Sequence, residues 1–225
     1  AEIGYSSVAI TVDHQVLNPF GDSLRKEVKR VRECLDRHQM GSVIETGARY
    51  LLDPRTKHEP TLVTANAKAR TRRIDFLRMS IDLAVELGSD CVSLWSGVLR
   101  DQIDDEAAFD RLTESLSRVT AHADQQGVIL GFEPEPGMFI DTMNRFEELI
   151  LRVNAPSLQL TLDLGHLHCQ GELPIVDQIR RWGPKIVNVH IEDMCRGIHE
   201  HLIFGDGEME FPPILEASCP ACALS

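Results

Sequence analysis

Five short apolar runs along this chain share one pattern: each ends abruptly in a polar or charged residue. They are SVIETG ending at Glu45, CVSLWSG at Ser96, VILGFEPEPG at Glu133, LQLTLDLGH at Asp163 and KIVNVHIED at His190. Stretches with an apolar residue every three to four positions separate them. Strands alternating with helices specify a parallel sheet, because parallel neighbours need a crossover. In such sheets ligands lie beyond the C-terminal strand ends. The pattern therefore aims Glu133, Asp163 and His190 at one mouth. Two carboxylates and an imidazole converging from separate strands describe a divalent metal site.

The rest of the chain fits the same plan. AEIGYSSVAITV reads as an earlier strand, with Asp13 and His14 at its exit. Asp22 or Ser23 can cap a helix with Leu24, Val28, Val31 and Leu35 on one face, and Gly41 is expected to end it. YLLDPRTKHEPTLVT has no clean period and is expected to be a long mouth-side loop, with KHEP as part of a lid. Ile74, Leu77, Ile81, Leu83, Ala84 and Leu87 define a strong helix stopped by Gly88. DDEAAFDRLTESLSRVTAHADQQG opens on acids that suit the positive end of the helix dipole. TMNRFEELILRVN, PIVDQIRRWG and FPPILEA complete the helices. Six strands with intervening helices make most of a (β/α)8 barrel, a fold of ~250 residues. The expectation is an α/β chain forming one domain over residues 1–225, with the first and last barrel strands lacking.

Composition narrows the function. Lys and Arg total 23 against 35 Asp and Glu, a formal net charge of -12. Such a surface repels phosphate backbones, so no nucleic-acid partner is expected. No apolar run is long enough to span a bilayer and no signal-peptide pattern opens the chain, so no membrane partner is expected either. Six Cys without secreted-domain spacing read as buried reduced thiols in a cytoplasmic protein. The C-x-x-C of Cys219 and Cys222 reads as incidental.

Each candidate residue has a plainer alternative. Glu133 leaves its strand directly after Phe132, and Pro134 and Pro136 stiffen the segment that carries it and Glu135. The alternative is a surface carboxylate in a loop. Asp163 ends an apolar run with His166 three residues on; the alternative is a turn-forming Asp and an incidental His. His190 lies in a β-branched run, where a core histidine is the alternative. His199 and His201 form an H-x-H pair that would hold a metal only with a third ligand, and otherwise a solvated polar loop. Glu45 and Arg49 stand where a substrate hydroxyl or phosphate contact is possible. Trp95 walls a sugar pocket or fills the core.

Taken in order, AEIGYSSVAIT, FEPEPG, LTLDLGH and NVHIEDMCRG followed by FGDGEMEF resemble the xylose-isomerase-like TIM-barrel superfamily of sugar isomerases and epimerases, which includes the endonuclease IV branch. The resemblance implies a divalent metal held by Glu133, Asp163 and His190, with a final Glu that has no counterpart here. It further implies substrate contacts from His166 and Arg196, with Glu133 carrying the proton. The cofactor so implied is Mn²⁺, Mg²⁺ or Co²⁺, with Zn²⁺ also compatible. The implied reaction is isomerisation or epimerisation of a ketose, aldose or related polyol by proton transfer through an enediolate. The implied partner is a small carbohydrate, contacted by Glu45, Trp95, Glu135, His199 and His201, and a homo-oligomer would cover exposed barrel edges. Three alternatives stay open: an endonuclease IV-like phosphodiesterase, a non-catalytic barrel and a metal-dependent lyase.

Overall fold

The computed structural model describes residues 4–218. Six parallel strands lie in sequence order: β1 (Ser7–Thr11), β2 (Gly41–Glu45), β3 (Cys91–Leu94), β4 (Leu130–Phe132), β5 (Leu158–Asp163) and β6 (Ile186–His190). Helices α1 (Leu24–His38), α2 (Ala67–Leu87), α3 (Asp105–Gln126), α4 (Met143–Val153) and α6 (Ile175–Trp182) cover the outside of the curled sheet. Strand after strand paired in chain order is the topology of a barrel wall, and the described residues form a six-stranded part of a TIM barrel.

Local chemistry explains the boundaries. Asn66, Asp104 and Thr142 each accept a backbone N–H from the first turn of α2, α3 and α4, satisfying donors the helix cannot. Gly88 and Gly127 close α2 and α3 in the left-handed conformation, at φ 63° and 68°. All six apolar positions expected on the inner face of α2 are buried. Helix α1 departs from expectation at both ends. Ser23 makes no capping bond, and Gln39, not Gly41, takes the left-handed position; Gly41 already opens β2.

A short helix and a hairpin depart from the expected loops. Residues Leu164–Gln170 form a short helix, α5, where a loop was expected. Asp193–Cys195 (β7) and Ile198–Leu202 (β8) form an antiparallel hairpin in the segment expected to be a polar loop. The FGDGE turn that follows wraps the buried carboxylate of Asp193, which accepts N–H groups from Met194, Gly205 and Met209. A last helix, α7 (Phe211–Ser218), packs on α6. The expectation of buried thiols holds for Cys91 and Cys169 but not for Cys34, which is exposed. Cys219 and Cys222 lie outside the described residues.

Candidate active site

The parallel strands deliver their last residues to one rim. Asp163 and His190 are register partners at the ends of β5 and β6. Glu133 is one residue past β4, and its N–H still donates to Leu94 O at 2.8 Å, so its side chain leaves the sheet at the mouth. His190 Nδ1 lies 2.9 Å from Glu133 Oε1 and 3.9 Å from Asp163 Oδ2. Its Nε2 lies 3.2 Å from Glu45 Oε1 at the end of β2. Four strand ends thus meet around one imidazole.

Asp163 is positioned twice over. It ends β5 and is also the N-cap of α5, with Oδ1 accepting the His166 N–H at 2.8 Å. That bond turns Oδ2 toward the cavity, 3.6 Å from His166 Nε2. The His166 tautomer follows from its neighbours. Nδ1 lies 3.1 Å from Pro134 O, which can only accept, so Nδ1 carries the proton. Nε2 is then a bare lone pair, and it lies 3.1 Å from His199 Nε2, which must donate. Burial, with His199 beside it, holds the His166 pKa down to about 3, so the ring stays neutral.

The site is electrostatically unbalanced. Burial pushes the Asp163 carboxyl well above the ordinary range, and the carboxylates of Glu192 and Glu133 push the same way. Burial likewise raises Glu135 to about 8, with Glu133 adding repulsion. At His190 burial opposes the charge, but the hydrogen bonds to Glu133 and Glu45 win and raise it to about 11. Ligand atoms of Glu133, Asp163 and His166 lie within 4.8 Å of one another. Crowded carboxylates beside a neutral imidazole lone pair fit a divalent cation, which would relieve the repulsion.

These groups line an open cavity of about 260 Å³. Trp95 and Glu135 line it too, and so does His201, whose Nδ1 is 3.2 Å from Glu192 Oε1. His199 and His201 reach His166 from β8, with ring centroids 4.8 and 6.2 Å from its own. Arg196 is not brought there. It sits on the exposed β7–β8 turn, with its guanidinium against Gly171 at the end of α5. The β2–α2 loop adds Arg49, Lys57 and His58, and β6 adds Asn188, 3.2 Å from His190 Nε2. Asn188 carried a readable signal, since it lies two residues before His190 and so on the same face of β6.

Residues 1–217 match the family described as Xylose isomerase-like TIM barrel. A relative from Methanocaldococcus jannaschii, described as uncharacterized, is 25% identical over 203 residues, or 85% of this chain. The chain spans 64% of that relative and 56% of a second one from the same organism. Fructoselysine 3-epimerase of Shigella flexneri is 23% identical over 93% of this chain and 74% of its own. Among solved structures, a D-tagatose 3-epimerase-like protein superposes with a TM-score of 0.78 at 21% identity, covering 96% of this chain and 78% of that one. An IOLI protein solved with a zinc atom gives 0.72 at 19% identity, covering 96% and 75%.

Proposed function

The chain belongs to the xylose isomerase-like TIM barrel family, and on that premise we propose that it is a divalent-metal-dependent sugar epimerase or isomerase. One observation carries the reading: Glu133, Asp163, His166 and His190 converge from three strand ends and one helix start on a cavity large enough for a sugar. Similarity to fructoselysine 3-epimerase and to a D-tagatose 3-epimerase-like protein supports the same chemistry.

Glu133, Asp163 and His190 would hold the cation, Mn²⁺, Mg²⁺, Co²⁺ or Zn²⁺, with His166 facing the same point. When bound, the cation polarises a carbonyl and acidifies the neighbouring C–H. Glu133 would take that proton; delivering it to the neighbouring carbon isomerises the sugar, and epimerisation requires a second acid on the opposite face. Glu45 orients Glu133 indirectly, because it grips the far nitrogen of the imidazole to which Glu133 is bonded. His166, fixed as the Nδ1–H tautomer by Pro134, gives its Nε2 lone pair to the His199 N–H, and a substrate hydroxyl would take that donor's place. Trp95, 8% exposed, gives the sugar an apolar wall. Glu135, His199 and His201 complete the substrate contacts. The substrate is a small carbohydrate.

The test is C–H to C–²H exchange on a panel of ketoses in ²H₂O. Glu133→Gln is expected to lower the exchange rate by at least roughly 10³-fold, the scale of a lost general base, with the circular dichroism spectrum unchanged. Exchange retained by a folded Glu133→Gln protein would remove Glu133 as the base. A second reading, a phosphodiesterase of the endonuclease branch, is favoured only by the approach of His199 and His201 to His166. Metal counting separates the two: one exchangeable ion per chain fits the epimerase, three tightly held zinc ions the phosphodiesterase.

A further inference from the structure

We propose that Asp193 is the positioning residue for His199 and His201: its carboxylate clasps together the two ends of the segment that carries both imidazoles. The inference rests on the proposed function and adds to it a residue outside the cavity lining. Asp193 is the first residue of β7 and is 1% exposed. Oδ1 accepts the N–H of Met194 at 2.9 Å and that of Met209 at 3.1 Å, and Oδ2 accepts the N–H of Gly205 at 2.8 Å. One donor precedes β8 and two follow it, so a single side chain closes the loop in which β8 lies.

Apolar packing does not hold β8 in place. Every residue from Ile198 to His201 is exposed, and so are Ile203 and Phe204 beyond it. Met194 is fully buried and anchors β7. At the turn, the Gly197 N–H donates to Cys169 O at 2.9 Å, which ties the hairpin to α5. Past β8, the Glu208 N–H donates to Met194 O at 3.1 Å, beside the carboxylate. The return path of the chain is thus set by backbone N–H groups gathered on and around one buried anion.

The cradle is shaped to that anion. A Cβ at Gly207 would lie 2.2 Å from Asp193 Oδ1 and 2.7 Å from Met194 N, so no side chain fits. Gly205 stands at φ 97°, a conformation that glycine adopts without strain. The cradle fixes where β8 runs, and β8 fixes where the two rings stand. His199 Nε2 lies 3.1 Å from His166 Nε2, and His201 Nδ1 lies 3.2 Å from Glu192 Oε1. A shift of β8 by about 1 Å takes both imidazoles out of hydrogen-bond reach. A carboxylate accepts at both oxygens, whereas an amide sets an NH₂ group against one set of backbone donors. Asp193→Asn therefore opens the clasp with little change of volume, and Gly207→Ala opens it by pushing on Oδ1.

Two measurements test the assignment, and the first needs no turnover. Ring ¹⁵N spectra of the chelator-treated chain report the hydrogen bond between His199 and His166, and His199→Ala gives the position of the His166 signal without it. Folded Asp193→Asn and folded Gly207→Ala should each move the His166 Nε2 signal to that position. Amide exchange should accelerate at residues 196–204 and stay unchanged in the six-stranded sheet. The second measurement is C–²H exchange on D-fructose, D-tagatose and D-ribulose by Mn²⁺-loaded protein. Each variant should raise KM about tenfold, the scale of one lost hydrogen bond to substrate, with kcat within about threefold. In a His199→Ala, His201→Ala background, Asp193→Asn should add nothing further to KM. A His166 signal that is the same in the wild type and in folded Asp193→Asn overturns the inference, and so does a further rise of KM in the double background. Loss of the folded chain in both variants would assign Asp193 to the stability of the core and overturn it likewise. If the wild type exchanges none of the three sugars, the epimerase reading is at fault and the ring spectra alone decide the role of Asp193.

Discussion

Single residues in the sheet are chosen by what stands opposite them. Gly131 is the middle residue of β4, and a Cβ built on it would lie 2.3 Å from Thr161 Oγ1 on β5. No side chain fits there without a shift in backbone or neighbour. Gly131→Ala should therefore destabilise the fold by about 1–3 kcal/mol, the usual cost of overpacking, measured by denaturant unfolding. Thr161 Oγ1 is itself buried and, among the described residues, without a partner, so Thr161→Ala removes an unsatisfied hydroxyl and the obstacle to a side chain at 131. The double variant should lie near Thr161→Ala alone. Strict additivity of the two changes would show that the glycine serves another purpose. Such a pairing is invisible in the sequence, because it depends on register between strands about thirty residues apart. Glu133, Asp163 and His190 were legible for the opposite reason: each ends its own apolar run, and parallel strands gather their ends without further information. Arg196 lies off the cavity, because position in a motif says nothing about where a seven-atom side chain points and the hairpin turns it away.

Elements were legible where they are long. Helices α2 and α3 repeat their apolar period over several turns and end in glycine, so both periodicity and caps speak. Helix α5 has seven residues, too few to show a period, although Asp163 at its start and Gly171 at its end were available as capping signals. The β7–β8 hairpin was obscured by the charged and exposed residues of β8, with Arg196-Gly197 at its turn the one cue present. The β2–α2 loop shows what an element adds that composition does not. The loop that the sequence offers as a lid is bound to α2 by arginines that reach its carbonyls, Arg70 to Thr64 and Ala65, Arg72 to Leu52, and Arg73 to Pro60 and His58. Arg73 is the centre of this arrangement, buried at 3% exposure and stacked 4.9 Å from the Trp95 ring. Arg73→Met should keep the stacking volume and lose the bonds, leaving the carbonyls of Pro60 and His58 without their donor. The expected loss is on the order of 2–4 kcal/mol, with faster amide exchange confined to residues 47–62. Uniformly faster exchange across the sheet would mean that Arg73 supports the core rather than the loop.

The whole molecule sets an acidic chain of net charge -12 around a cavity whose inner groups are mostly carboxylates and imidazoles. Nothing in the fold itself requires that crowding. The sheet is held by its own ladder and by the apolar core, and on its two outer strands Val8 of β1 and Val187 and Val189 of β6 are exposed. Charge gathered at the mouth is a cost that a bound cation offsets, and folding stability should report it. A divalent ion at about 100 times its dissociation constant should add about 2.7 kcal/mol, because it binds only the folded state. A chelator should remove that increment, and Asp163→Asn should abolish it at the same ion concentration. Proton linkage gives the sign with pH. Without metal, His190 keeps its proton up to about 11, held by Glu133 and Glu45 against the burial that opposes its charge. A cation on the bare nitrogen must displace that proton, so the metal-dependent increment should shrink as pH falls from 8 to 6. Thermal unfolding at a series of pH values, with and without chelator, measures the difference directly. An increment that is flat or grows toward pH 6 would show that His190 is not a ligand, and would leave His166 as the imidazole completing the site with Glu133 and Asp163.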